Sequence, residues 1–192
     1  MKQLKIDFFE RDTVQVAKEL LGKIMEVNFA GEKLSGMIVE TEAYLGKNDP
    51  GSHSFRGKTK RNATMFGPAG ISYIYQIYGI YFCYNVTTDY KDIPAAVLIR
   101  ALEPLTGIET MKKNRGRNEL RDLCSGPAKL VQAMGITKEM DGTSAIDGPV
   151  KFYEDLHQLT FQIIQTTRIG LSQGKELKLR FYIKNNPFIS RK

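Results

Sequence analysis

Residues 71–87 read ISYIYQIYGIYFCYNVT, a run of β-branched and aromatic side chains interrupted by one glycine, Gly79. Such side chains favour the pleated surface of a sheet, and a lone central glycine gives the chain a place to reverse. The run predicts a β-hairpin turning at Tyr78 and Gly79. Five of the nine tyrosines fall inside it, Tyr73, Tyr75, Tyr78, Tyr81 and Tyr84. Strand alternation puts Tyr73 and Tyr75 on one face, whereas Tyr78 at the turn has little to pack against.

The remaining pattern supplies a mixed α/β (α+β) chain. A helix is expected from Asp12 or Thr13 to Leu21, with Val14, Ala17, Leu20 and Leu21 at helical spacing, capping residues before it and Gly22 after it. Residues 23–28 and 33–42 alternate around Gly31 and read as two strands, the second ending in VETEAY. AVLIRAL, residues 96–102, is a third strand. Ser125-Gly-Pro127 opens a helix that Gly135 closes, and residues 163–170 and 177–183 read as the last strands. Because these strands do not alternate regularly with long helices, the sheet is expected to be largely antiparallel, with flanking helices and a protruding tyrosine-rich hairpin. No linker or repeat divides the chain, so residues 1–192 are expected to form a single domain.

No stretch approaches the roughly 18 apolar residues of a membrane span, and the charged opening MKQLKIDFFERD does not read as a signal peptide. A cytoplasmic protein with no membrane partner is expected. Cys83 and Cys124 lack metal-ligand spacing and read as two reduced core thiols. The balance of 28 Lys and Arg against 21 Asp and Glu gives a net charge of +7. That favours a polyanionic partner, since basic side chains on phosphates release counterions.

Three groups of residues could carry chemistry. FRGKTKRN places Arg56, Lys58, Lys60 and Arg61 just before the hairpin, as either a solvated loop face or a clamp on phosphates. A second basic run, Lys112, Lys113, Arg115, Arg117 and Arg121, resembles a helix surface or loop. The hairpin tyrosines are either sheet-core aromatics, the reading that periodicity alone favours, or a wedge at Tyr78 with a stacking platform at Tyr75. In VETEAY, alternation puts Glu40, Glu42 and Tyr44 on one face of an otherwise apolar strand, where carboxylates are costly unless paired or used. Arg100, inside AVLIRAL, is their natural partner, so a structural Glu–Arg ion pair and a catalytic carboxylate stand side by side. Glu40, Glu42 and His53 could in principle hold iron or manganese, but with His157 as the only other histidine the ligands are few, and no metal is expected.

Taken in order, VETEAYLG, His53, the Arg61-Asn62 pair with Met65 and Phe66, SYIYQIYGIYFCYN, VLIRALEP and CSGPAKL resemble the 3-methyladenine DNA glycosylases of the alkyladenine (methylpurine) type. The likeness runs from VAKELLGK to LRFYIKNNPFIS. It implies an enzyme of base excision repair that flips a damaged purine out of double-stranded DNA and hydrolyses its glycosidic bond without a cofactor. One active site per chain is sufficient for that chemistry, so a monomer is expected. Residue by residue, Glu42 matches the general base, Arg100 an arginine that holds the attacking water, and the backbone carbonyl of Ile169 another ligand of that water. Tyr44 and Tyr75 match the aromatics that sandwich the flipped base, His53 the residue closing the pocket, Asn85 the asparagine that crowds the guanine amine, and Tyr78 the side chain that fills the gap in the duplex. With no lysine at these pocket positions, base removal without strand nicking is expected. The segment ATMFGPAG after Asn62 departs from the animal members and leaves lesion preference open.

Overall fold

The computed structural model describes residues 1–90, 92–155 and 160–191. It is organised around one long strand. After a short helix α1 (Ile6–Phe9), helix α2 (Thr13–Glu19) starts where the Asp12 carboxylate accepts the Gln15 N–H at 2.9 Å. Its Val16 and Ala17 turn inward. The chain then forms β1 (Ile24–Phe29) and β2 (Glu32–Tyr44), which pair around the turn at Gly31. Next come the hairpin strands β3 (Ser72–Ile77) and β4 (Tyr81–Thr88), then β5 (Ala95–Thr106). Helices α3 (Ile108–Arg115), α4 (Leu120–Leu123) and α5 (Pro127–Ala133) precede β6 (Val150–Tyr153), β7 (Ile163–Thr166) and β8 (Arg180–Ile183).

The strands run in the order β3-β4-β5-β2-β1-β6, with β8 also on β2 and β7 on β8, and every pairing is antiparallel. β2 is long enough to hold three neighbours. Residues 32–37 pair β1 and residues 40–42 pair β8, while β5 runs along the other edge from Ser35 to Tyr44. Helix α5 lies against β4 and β5, and α2 against β2. Phe9, Leu20, Met25, Leu34, Ile38, Ile99, Phe152 and Phe181 fill the main core, and Met65, Tyr73 and Ala96 form a smaller second cluster. The mixed α/β class, the antiparallel sheet and the one compact domain agree with the sequence.

Several boundaries differ for physical reasons. β5 extends to Thr106, beyond the expected 96–102, because β2 offers it a partner along the whole edge. β7 stops at Thr166, short of Gly170, because the Arg168 side chain turns onto Asp49 in the loop after β2 and the Ile169 amide onto Glu42, leaving the ladder. The second basic run spans α3, the turn carrying Arg117 and α4, where Lys112 meets Glu109 at 2.7 Å, Arg115 meets Gln132 of α5 at 2.5 Å and Arg117 lies 3.9 Å from Asp122. Among the described residues, no helix is long and apolar enough to cross a membrane. His157 lies outside the described residues.

Candidate active site

The site is assembled where β2, β5 and β8 meet. The β2–β5 ladder skips Val39 on one strand and Arg100 on the other, so a bulge falls on each side of Glu40. Bulges re-aim side chains. The Arg100 guanidinium here reaches two carboxylates at once, with Nε donating to Glu40 Oε1 at 3.0 Å and Nη1 lying 3.2 Å from Glu42 Oε1. Burial opposes the Arg100 charge, but Glu42 and Glu40 outweigh it, so its pKa is raised and the cation persists.

Glu42 is fully buried and meets donors from three directions. The Ile169 N–H donates to Oε1 at 2.8 Å, and the Tyr44 hydroxyl donates to Oε2 at 2.8 Å. Burial first, then the Glu42 charge, push the Tyr44 pKa well above its ordinary value, so Tyr44 remains a donor. The resemblance pointed to the Ile169 carbonyl; what meets Glu42 in the free protein is the Ile169 amide.

Tyr44, which bonds Glu42, also borders a narrow cavity of about 50 Å³, lined by Tyr44, Gly51, His53, Met65, Tyr73, Tyr75, Asn85 and Leu171. Tyr73 and Tyr75 pack at 5.4 Å between ring centroids, and His53 stands edge-on to Tyr75 at 4.5 Å. The His53 Nδ1 pairs with the Tyr73 hydroxyl at 3.0 Å. Burial, assisted by the Arg61 charge, lowers the His53 pKa and favours the neutral ring. Asn85 is buried and donates to the Tyr73 carbonyl at 3.1 Å. Thus the residues singled out in the sequence, Tyr44, His53, Tyr75 and Asn85, border one cavity. Glu40 does not join them, because both of its oxygens are taken by Arg100, Arg180 and Ser190. Among the described residues no three His, Cys, Asp or Glu side chains converge as a metal site.

The hairpin divides its tyrosines between two roles. Tyr73 and Tyr84 are core residues, as periodicity suggested. Tyr78 is 87% exposed at the turn, flanked by exposed Ile80 and Tyr81. Tyr78 and Gly79 carry φ of +51° and +74°, and the Ile80 N–H donates to the Ile77 carbonyl. Positive φ at both central positions is the pattern of a primed hairpin turn, costless for Gly79 and strained for Tyr78. The basic loop packs back on the hairpin. The Arg61 guanidinium sits 5.6 Å from the Tyr75 ring and donates to the Gln76 carbonyl at 3.0 Å, and the Lys58 ammonium lies 6.0 Å from the Phe66 ring. Arg56 and Lys60 are exposed on the same loop.

Two arginines escaped the sequence reading. Arg180, a cation in the apolar β8, donates from Nε to Glu40 Oε1 at 2.7 Å. Arg168 is fully buried with Asp49, its Nη1 and Nη2 donating to the two carboxylate oxygens at 2.6 and 2.5 Å and Nη1 also to the Ala43 carbonyl at 3.0 Å. Its guanidinium stacks 4.7 Å from the Tyr44 ring. Asp49 also accepts the Leu45 and Gly51 amides, each at 3.0 Å. At Gly51 a Cβ would lie 2.8 Å from both Arg168 Nη2 and Leu171 Cδ1, so the loop can approach this closely only as glycine.

A buried carboxylate held by an arginine, a tyrosine and an amide, with the tyrosine also lining an aromatic cavity, is an arrangement compatible with acid–base chemistry. The profile of the methylpurine-DNA glycosylase family matches residues 7–187. A protein of Methanoculleus marisnigri is 48% identical over 188 residues, covering 96% of this chain and 97% of its own. One of Francisella tularensis subsp. tularensis is 47% identical over 184 residues, covering 94% of each chain, and one of Carboxydothermus hydrogenoformans 46% over 186 residues, covering 96% and 97%. All three carry the provisional name 3-methyladenine DNA glycosylase. The chain belongs to the methylpurine-DNA glycosylase family, whose members are hydrolases of N-glycosyl bonds.

Proposed function

We propose that residues 1–192 act as one monofunctional glycosylase domain of base excision repair, which flips an alkylated or deaminated purine, such as 3-methyladenine, out of duplex DNA and leaves an abasic site. The observation that carries this reading is the buried Glu42, fixed by Arg100, the Ile169 amide and Tyr44, the last of which also lines a cavity with His53, Tyr75 and Asn85.

Glu42 takes the proton of a water held also by Arg100 and the Ile169 carbonyl. The water oxygen bonds to the sugar C1′ as the glycosidic bond breaks and its electron pair leaves with the purine. A purine alkylated on a ring nitrogen is cationic in DNA, so it departs as a neutral base. Before departure it gains roughly 0.5–2 kcal/mol between electron-rich rings, the role given to Tyr44 and Tyr75. His53 closes the pocket and Asn85 crowds the exocyclic amine of guanine. Unstacking the base costs a few kcal/mol, which Tyr78 offsets by filling the gap. Arg56, Lys58, Lys60 and Arg61 hold the phosphates beside it. One site per chain suffices, which fits a monomer, and a DNA substrate fits the cytoplasm or a nucleoid.

The test is single-turnover release of 3-methyladenine by Glu42→Gln. The amide keeps the shape and, with its oxygen, the bond from Ile169, while its NH2 faces Tyr44, whose hydroxyl turns to accept; it takes up no proton, so the rate is expected to fall by about 10²–10⁴ while lesion binding persists. Full activity in this variant would refute the assignment even if the protein binds DNA.

A further inference from the structure

Glu40 is fully buried two residues from Glu42, and the mechanism above leaves it unused. Its carboxylate nonetheless accepts four hydrogen bonds. Oε1 accepts Arg100 Nε at 3.0 Å, Arg180 Nε at 2.7 Å and the Ser190 hydroxyl at 2.9 Å, and Oε2 accepts the Ser190 N–H at 2.6 Å. Ser190 also accepts a bond from Arg100 Nη2 at 3.3 Å, and Arg180 donates on to the Arg191 carbonyl. The last residues of the chain are therefore bonded into the charge cluster that holds Arg100. They lie beyond residue 187, where the family profile ends.

We propose that Glu40, clamped by Arg180 and Ser190, is a positioning residue for the glycosylase reaction, fixing Arg100 by its Nε edge so that Nη1 faces Glu42, and balancing the charge around it. This rests on the reading of Glu42 as the base. Glu40 and Glu42 against Arg100 and Arg180 make a four-charge cluster with no net charge. Without Glu40 the two cations are answered by Glu42 alone, and Arg100 is free to pivot onto it and occupy the oxygen that must accept the proton. The other groups facing Glu42 are Tyr44 on its own strand, Tyr75 on β3, Cys83 on β4 and Arg168 with the Ile169 amide after β7. None of them replaces a lost negative charge.

The experiment measures single-turnover release of 3-methyladenine across pH, lesion-DNA affinity and thermal midpoint for Glu40→Gln, Ser190→Ala, Ser190→Thr and Glu42→Gln. Glu40→Gln is expected to lower the plateau rate about 10- to 100-fold, the worth of a charged hydrogen bond, with affinity unchanged. The acid limb of its rate profile is expected to move to lower pH, because removing a neighbouring negative charge makes the field at the base more positive. Ser190→Ala, which keeps the backbone bond and spares the fold, is expected to lose about three- to tenfold, and Ser190→Thr to restore the rate. A lowered midpoint with wild-type rate and acid limb would reduce Glu40 to a structural role and overturn the proposal, as would Ser190→Ala at wild-type rate if Glu40→Gln fails to fold. Loss of activity in Glu42→Gln alone would sink this inference but leave the general base intact. Full activity in Glu42→Gln would remove the base itself.

Discussion

The Arg168–Asp49 pair permits the sharpest quantitative test, because its stabilising and functional consequences separate. In Arg168→Met the Asp49 carboxylate stays buried and keeps only the Leu45 and Gly51 amides, while the Ala43 carbonyl loses its donor. Stripping one partner from a buried pair costs about 3–5 kcal/mol, since the remaining charge is left in a poor solvent. For a chain of this size each kcal/mol moves Tm by about 2–4 °C, so a fall of about 6–20 °C is expected. Asp49→Leu should cost a similar amount by stranding Arg168, whose pKa is raised because Asp49 outweighs the opposing effect of burial. The double variant Arg168→Met with Asp49→Leu should recover most of the loss, because an apolar pair of similar bulk replaces the charges, so the coupling approaches the sum of the two single losses and is at least about 5 kcal/mol. Urea unfolding followed by circular dichroism at two salt concentrations measures this, and the coupling should change little with salt, as a buried pair is poorly screened. Excision should behave differently. The guanidinium backs the Tyr44 ring and precedes the Ile169 amide on Glu42, so the double variant is expected to regain stability and remain slow. If Arg168→Met cost under about 1 kcal/mol, or if the two single losses simply added, the reasoning would be refuted.

Tyr78→Ala should leave stability within about 0.5 kcal/mol, since the side chain is 87% exposed, yet slow excision from duplex DNA more than from single strands. A fall in both by the same factor would remove Tyr78 from base flipping. Each of Arg56, Lys58, Lys60 and Arg61 that meets a phosphate should, when changed to Gln, lower the slope of log K against log salt by about 0.9, as read by fluorescence anisotropy across a salt series. The lowered His53 pKa means that the native state resists protonating it. Its contribution to stability is therefore complete above the ordinary histidine pKa near 6.5 and declines as pH falls below that value. His53→Gln should flatten the midpoint-against-pH curve between about pH 6.5 and 5, and Arg61→Ala should move the His53 titration, followed by NMR, to higher pH.

What could be read from the sequence was whatever local periodicity or an ill-placed charge betrays. The hairpin announced itself because its β-branched and aromatic run has one point of reversal, and Arg100 with Glu40 and Glu42 because charges in apolar strands demand one another. Arg180 carried the same signal in LRFYI and was passed over. Helix α3 buries only Met111, too little for a stripe, and β6 has four residues, too few for alternation to register. The contacts between Arg168 and Asp49, 119 residues apart, and between Ser190 and Glu40, 150 apart, have no local trace at all. Nor does any pattern disclose the bulges that aim Arg100 at both carboxylates, because a skipped residue is a property of two strands together.

β2 has neighbours on both edges along the stretch that carries Glu40 and Glu42, whereas Tyr78 sits on a turn that touches little. In hydrogen exchange this predicts a steep gradient within one enzyme, with the amides of residues 40–42 opening only with global unfolding and those of the hairpin turn exchanging almost freely. On the proposed function, searching and chemistry would fall to parts of the chain with opposite dynamics. A turn that opens freely would test one base pair after another while the carboxylate keeps its aim, and substitutions at the turn would alter lesion choice without disturbing β2.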